Sequence, residues 1–220
     1  MQKFAIIVAG GKGLRMGTEI PKQFLILQNK PILAYSIEAF YKEDSATKII
    51  IVLPQEQEEY WKYLCKEYSI TIPHTIVYGG KERFFSVKNG LSLVNPESVV
   101  AIHDGVRPLI DTETIRNGFN LAKEKNSAIP VIDSIDSLRI TENGTSKSIN
   151  RNTVKRVQTP QVFSSKKLLK AYNTDFLDFF TDDASVFENT FDSIFTFSGN
   201  DKNIKITNEF DLKIANAFLE

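Results

Sequence analysis

Residues 4–24 read Phe4-Ala-Ile-Ile-Val-Ala-Gly-Gly-Lys-Gly-Leu-Arg-Met-Gly-Thr-Glu-Ile-Pro-Lys-Gln-Phe24. An apolar run over residues 4–9 ends in glycines at positions 10, 11 and 13, and Arg15 and Lys22 follow. Such a run reads as a strand buried on both faces, as in a parallel sheet with helices above and below. Glycines directly after it let the backbone approach a ligand and aim N–H groups at it. Phosphate suits that turn, with the two cations balancing its charge. Neither common phosphate loop fits, however. A P-loop needs Lys then Ser or Thr after a four-residue spacer, which is absent. A dinucleotide fingerprint needs a glycine where Met16 stands and an acid near position 30, where Asn29, Lys30 and Pro31 occur.

The remaining composition narrows the class. Two hundred and twenty residues suit one large α/β domain with a substantial core. Lys plus Arg and Asp plus Glu both total 27. This balance argues against nucleic-acid and membrane partners, which call for a cationic surplus. Any phosphate site must then come from local clustering of cations. The single cysteine, Cys65, excludes an internal disulfide and fits a reducing cytoplasm. No secretory leader and no 18-residue apolar stretch is present, so a soluble protein is expected.

Outward from the glycine turn, residues 31–42 show helical spacing, 48–53 a second buried strand, and 55–68 a helix with Trp61, Leu64, Cys65 and Tyr68 inward. Strands follow at 75–78 and 99–103, and a helix at 112–125. This alternation predicts a Rossmann-like, doubly wound, mostly parallel sheet. Ligands bind beyond the carboxyl ends of such strands. The glycine turn, the run Gly79-Gly80-Lys81-Glu82-Arg83 with Ser86, and Asp104 with Arg107 should therefore converge. Lys81 and Arg83 taken alone read as solvated loop cations, but Gly79-Gly80 before them and Ser86 after give a functional role equal weight. His103 reads as a packing histidine, His74 as a surface residue.

Residues 133–157 break the rhythm. Alternation over 137–141 and the turn signal Glu142-Asn143-Gly144-Thr145 predict a β-hairpin too poor in apolar residues to stand alone. We expect an arm over 134–157 that packs on a second subunit, making a homodimer. Beyond it, Ser164 or Ser165 is expected to cap a helix, Thr181 to cap another, and residues 193–197 to form a strand. Lys205 lies on an extended run at 203–207. A closing helix should turn Phe210, Ile214, Ala217 and Phe218 inward. No repeat or linker divides residues 1–220, which read as one domain.

The segments AGGKGLRM, PKQF, GGKERFFSV, HDGVRP, PVIDS, the Arg151 region with QTPQVF, TDDAS and NIKIT together resemble the 2-C-methyl-D-erythritol 4-phosphate cytidylyltransferases, over nearly the whole chain. The resemblance implies a fold of the nucleotide-diphospho-sugar transferase type. It implies a CTP donor, a polyol-phosphate acceptor, and Mg²⁺ bound mainly through the CTP phosphates. It places Ala9, Gly10, Gly11 and Gly13 around base and phosphates, and Gly80, Lys81 and Ser86 at the cytosine. Asp104 and Gly105 would face the ribose, and Asp104 is the carboxylate nearest the metal. Arg15 and Lys22 would stabilise the transition state. Arg107, Ser134, Arg151, Thr159 and Lys205 would hold the acceptor, with Arg151 and Lys205 aligning its phosphate and Ser134 and Arg151 reaching the partner's site. Ser134 stands where Thr is usual, and Gly105-Val106 where Ala-Ala is frequent. Ribitol-5-phosphate cytidylyltransferases share most of these segments and are the nearest alternative. A non-catalytic nucleotide-binding module is a further one. The bound acceptor phosphate would itself be the nucleophile, so no general base is required.

Overall fold

The computed structural model describes residues 1–11, 20–191 and 193–220. In chain order the elements are β1 (Gln2–Val8), β2 (Ile26–Leu27), β3 (Lys30–Pro31), α1 (Ile32–Glu43), β4 (Lys48–Leu53), α2 (Glu58–Glu67), β5 (Thr75–Tyr78), α3 (Arg83–Leu91), β6 (Ser98–Asp104) and α4 (Thr112–Lys125). They continue with β7 (Ser127–Asp133), β8 (Leu138–Glu142), β9 (Thr145–Ile149), β10 (Lys155–Val157), β11 (Gln161–Ser164), α5 (Ser165–Ala171), α6 (Asp183–Glu188), β12 (Thr196–Ser198) and α7 (Glu209–Ala217).

Among the described residues one sheet runs β10-β7-β11-β6-β1-β4-β5, with β12 alongside β7. Strands β1, β4, β5 and β6 are mutually parallel. β11 is antiparallel to both β6 and β7, so β7 points the same way as β6. Alternate residues of each central strand feed two cores. Ala5, Ile7, Ile49, Ile51, Leu53, Val99 and Ala101 face α1, α2 and α4. Ile6, Ile50, Val52, Val100 and Ile102 face α3, α5 and α6. A sheet covered on both faces needs apolar residues at every strand position, which is why these strands read as unbroken apolar runs. The chain leaves β1 toward β4 on one side, and β6 lies on the other, with Val8 beside Asp104. That reversal of strand order puts the crevice for a ligand between the ends of β1 and β6.

Several local expectations change. The run 79–86 is not all loop: Arg83 begins α3, a helix with no side-chain cap that the sequence reading missed. The 55–68 helix splits into a 3-10 turn, Gln55–Gln57, and α2, with Trp61 and Leu64 buried. Ser164 holds the N-cap position of α5 without a capping bond, and Ser165 turns inward to Ser98, with the two Oγ atoms 2.8 Å apart. Asp182, not Thr181, caps α6, accepting from the Ser185 N–H at 2.9 Å in a reciprocal capping box. With one carboxylate oxygen on the Ser185 N–H, the other accepts from the Gln161 side chain at 2.8 Å. Strand β12 begins only at Thr196, since Ser127 Oγ takes the place of ladder partners by bonding Ser193 O and Phe195 N. No strand spans 203–207; Ile206 N–H donates to Val106 O and pins the segment beside the turn after β6.

The closing helix presents the other face. Phe210 and Phe218 are exposed, and Ala217 with them, while Ala215 and Leu212 pack on Leu27, Ile32 and Ile206. Alanine allows the close approach which that small cluster requires. His74 is half-buried: its Nε2 accepts from Trp61 Nε1 at 3.1 Å.

Within the expected arm, β8 and β9 form a hairpin, whereas β10 joins the main sheet beside β7. Asn143 (φ 49°) and Gly144 (φ 76°) supply the two left-handed residues of a tight turn. Leu138 pairs with Ile149 and Ile140 with Lys147. From Arg139 to Ser148 every residue is exposed.

Candidate active site

Beyond the carboxyl ends of β1 and β6 lies a cavity of about 220 Å³, lined by Ala9, Gly10, Gly11, Lys22, Gln23, Gly80, Lys81, Glu82, Arg83, Ser86, Asp104 and Lys205, with Val8 and Val106. The cations Lys22, Lys81, Arg83 and Lys205 outnumber the carboxylates Glu82 and Asp104, so a chain with no net charge concentrates positive charge here. Ala9 is committed to the fold, donating from its N–H to Val52 O at 2.8 Å and accepting from Gln23 Nε2 at 2.7 Å. Gly10 and Gly11 leave bare backbone at the cavity wall. On the facing side the Gly80 N–H donates to Ser86 Oγ at 3.1 Å, and Ser86 Oγ donates to Glu82 O at 3.2 Å. A side chain at Gly80 would lie 2.3 Å from Phe85 Cβ, so only glycine lets this turn close on α3. Gly105 is buried against Ile7, Ala9 and Leu33, and its N–H donates to Val8 O at 2.9 Å. It shapes the turn from behind and does not line the cavity.

Asp104, at the end of β6, is the electrostatic centre. Its carboxylate meets Lys205 Nζ at 3.0 Å, Arg107 Nε at 3.5 Å and Arg83 Nε at 3.6 Å. Burial opposes its charge, but Arg83, Lys205 and Arg107 outweigh burial and hold the carboxyl well below the usual range. Asp104 is thus an internal anion that gathers three cations before any ligand arrives.

A second cavity, about 190 Å³, shares Arg83, Asp104 and Lys205 with the first and is otherwise lined by Arg107, Val157, Gln158, Thr159, Gln161, Thr181 and Asp182. Arg107 Nη1 donates to Asn203 O at 2.8 Å. Thr159 Oγ1 accepts from the Asp104 N–H at 3.1 Å and lies 3.0 Å from His103 Nδ1. His103 Nε2 in turn lies 3.2 Å from Arg107 O. This network assigns a neutral imidazole with the proton on Nε2. Burial pushes His103 down to about 4. It is a packing residue, as the sequence suggested, and burial likewise pushes the Cys65 thiol up to about 11. Neither is poised as a base or nucleophile at neutral pH.

Ser134 and Arg151 are not brought to Asp104. They line a separate hollow of about 550 Å³ at the base of the arm, with Asp133, Ile135, Asn152 and Lys155 among its walls. Arg151 is exposed and donates to Ile135 O. Gly13 and Arg15 lie outside the described residues. Among the described residues no three His, Cys, Asp or Glu side chains are grouped to hold a metal ion. Asp104 does not fit a resident cation, because three cationic groups already surround it.

Sequence reasoning missed several residues of the site. Asp183 is one: Arg83, expected at the site, joins Asp104 to it at 2.7 Å. Gln161, buried, donates to Asp182 Oδ2 at 2.8 Å and accepts from the Ala184 N–H at 2.9 Å, tying α6 to the sheet. Asn203, fully buried, donates to Thr159 O at 2.8 Å. Gln23 anchors the segment carrying Lys22 to β1. A polar residue between Pro160 and Val162-Phe163 was the available signal for Gln161; Asn203, preceded by Asn200, Asp201 and Lys202, offered none.

A doubly covered α/β sheet with a glycine turn, a cation-rich cavity at its switch point and a second anion-suited cavity beside it defines a nucleotidyltransferase. The sequence model of the 2-C-methyl-D-erythritol 4-phosphate cytidylyltransferase (IspD) family matches residues 3–220, and the chain belongs to this family. It is 51% identical to the 2-C-methyl-D-erythritol 4-phosphate cytidylyltransferase of Bacteroides fragilis, over all of both chains. It is 48% identical to that of Bacteroides thetaiotaomicron, again over all of both. The crystal structure of 4-diphosphocytidyl-2C-methyl-D-erythritol synthase from Anaerococcus prevotii aligns with a TM-score of 0.84 at 29% identity, covering 99% of this chain and 96% of that one.

Proposed function

We propose that this chain transfers the cytidylyl group of CTP to the phosphate of 2-C-methyl-D-erythritol 4-phosphate, a step of isoprenoid biosynthesis. The observation that carries this reading, in a member of this family, is the pair of cavities that share Arg83, Asp104 and Lys205. A phosphate oxygen of the acceptor attacks the α-phosphorus of CTP, forming a P–O bond. The bond from that phosphorus to the bridging oxygen breaks, and pyrophosphate leaves with the electron pair. The nucleophile is already anionic, so the protein's task is alignment and charge.

The first cavity takes the nucleotide. Gly10, Gly11 and Gly13, behind Ala9, approach the phosphates, while Gly80, Lys81 and Ser86 face the cytosine and Asp104, on the turn shaped by Gly105, faces the ribose. Lys22, with Arg15, stabilises charge building on the α-phosphate. Arg107 and Lys205 hold the acceptor's phosphate from the second cavity, and Thr159 keeps Asp104 in register for them. Mg²⁺ enters as the counter-ion of the triphosphate, part of the substrate complex. Ser134 and Arg151 are supplied to this site by the arm of a second subunit in a homodimer. The exposure of the hairpin on both faces supports that assembly, since an isolated two-stranded ribbon is marginal in water. Among the described residues no helix is long and apolar enough to cross a membrane, which fits a cytoplasmic location.

The test is pyrophosphate release from CTP and Mg²⁺ with methylerythritol 4-phosphate and, in parallel, ribitol 5-phosphate. Release with the first and not the second is expected. Release with ribitol phosphate alone would overturn the acceptor while leaving the mechanism, and silence with both would return the protein to a binding role.

A further inference from the structure

We infer that Arg83 is a positioning residue of the transfer reaction, which keeps Asp104 in the wall between the two cavities when the acceptor's phosphate draws Arg107 and Lys205 away. The inference rests on reading those cavities as donor and acceptor sites. Arg83 is the first residue of α3, next to the Gly80 turn, and its guanidinium spans two carboxylates. Nη2 meets Asp183 Oδ2 at 2.7 Å, and Nε lies 3.6 Å from Asp104 Oδ1. Asp183 is fully buried, and its other oxygen accepts from Tyr172 OH at 2.6 Å. Each oxygen of Asp183 is thus engaged, one by Arg83 and one by Tyr172, and the side chain is buried away from a substrate. Asp183 serves as a fixed post, and Arg83 is the strut from that post to Asp104. Burial disfavours the charge on Arg83, but Asp183 and Asp104 overcome it and strengthen its hold on the proton.

The need for a strut follows from charge balance. In the structure Asp104 is shared among Arg83, Arg107 and Lys205. An arriving phosphate competes for Arg107 and Lys205, both of which line the acceptor cavity. Once they turn to it, Asp104 is held from its side-chain end by Arg83 alone. Without Arg83 the carboxylate would be loose beside a triphosphate, a like-charge contact that opposes the ternary complex. Occupation of each cavity thus favours the other only while Arg83 pins Asp104. Lysine cannot replace it, since a single ammonium lacks the planar fork that serves two carboxylates at once.

The experiment is calorimetric titration of methylerythritol 4-phosphate into the intact protein, with and without a CTP analogue whose α,β-bridge is a methylene, together with steady-state kinetics. In the native chain the analogue should tighten acceptor binding several-fold, a coupling of the usual size. In Arg83→Lys that ratio should fall to about one and kcat should drop about 10- to 100-fold. Tyr172→Phe leaves every charge in place and loosens only the post, so it should lower the ratio by a smaller factor. It also carries the test if Arg83→Lys fails to fold. A ratio near one in the native chain would overturn the inference, as would an unchanged ratio in both variants. Lys205→Ala separates the two layers of argument: if it binds the acceptor as tightly as the native chain, the two-cavity reading fails, whatever Arg83 does.

Discussion

Asp104 and Arg151 are assigned to one reaction and are held in opposite ways. Asp104 ends a strand buried throughout, with its N–H on Thr159 and its carboxylate among three cations from α3, the turn after β6 and the 203–207 segment. Arg151 is exposed and reaches the carbonyl of Ile135, a neighbour in the same arm. The first region is over-determined by its own chain. The second has regular backbone but little packing to fix it. A folded hairpin that buries almost nothing is the observation on which the proposed second copy rests.

The sharpest way to break that comparison uses activity. Lys205→Ala and Arg151→Ala should each lower kcat by on the order of 10²–10³-fold, the loss expected for a preorganised charge at a phosphoryl transfer. If Arg151 serves the partner's site, equal amounts of the two inactive variants, mixed and allowed to exchange subunits, should regain about a quarter of native activity. Half the dimers are then mixed, and one site in each combines an intact body with an intact arm. No recovery, with exchange verified, would place Arg151 in its own subunit's site and require the arm to fold back.

The same contrast separates what was legible in the sequence from what was not. Strands β1, β4, β5 and β6 stood out because both faces are buried and their composition needs no context. The glycine turn, Asp104 and Arg107 were visible because glycine and charge at strand ends have few structural uses. Arg83 was placed at the site by its run, but the partner that fixes it was not visible. A charge at the start of a helix looks solvated until Asp183, a hundred positions later, is folded against it. Helix α7 shows another limit. Its sequence carries the stripe Phe210, Ile214, Ala217 and Phe218, yet the cluster at Leu27 and Ile206 has room for Ala215 instead. Periodicity reveals that a stripe exists; the size of the space it must fill decides which stripe is buried.

Acidification probes the over-determined region at smaller amplitude. His103 is fully buried, with its pKa depressed from 6.5 to about 4. Between those values the unfolded chain binds a proton at this residue and the folded chain does not, so stability falls as pH falls. From pH 7 to pH 5 the loss should be about 2 kcal/mol from this group. Asp104 adds its own loss only at lower pH, since its depressed pKa keeps it ionised until the unfolded carboxylate is already protonated. Denaturant unfolding of the native chain and of His103→Gln at both pH values measures the difference between their slopes. Parallel slopes would mean that His103 is hydrated or charged in the folded state and that the Thr159–His103–Arg107 network is not closed.

The smallest effect tests the under-determined region. Ile140 is 58% exposed, opposite Lys147 and on the face shared by Leu138 and Ile149. If the hairpin met only water, Ile140→Ser would change stability by less than about 0.5 kcal/mol at any protein concentration. If a second subunit covers that face, the substitution removes apolar area buried at the interface and leaves the isolated fold alone. A loss of about 1.4 kcal/mol there weakens the dimer about tenfold. Sedimentation equilibrium across a dilution series reads that shift directly. Thermal unfolding at the lowest concentration should meanwhile leave native and variant chains together, because β8 and β9 contribute nothing to the two cores that hold the sheet. A tenfold shift with coincident melting would make the arm a structure completed by its partner, whereas coincident sedimentation would leave the hairpin's apolar face without a purpose in assembly.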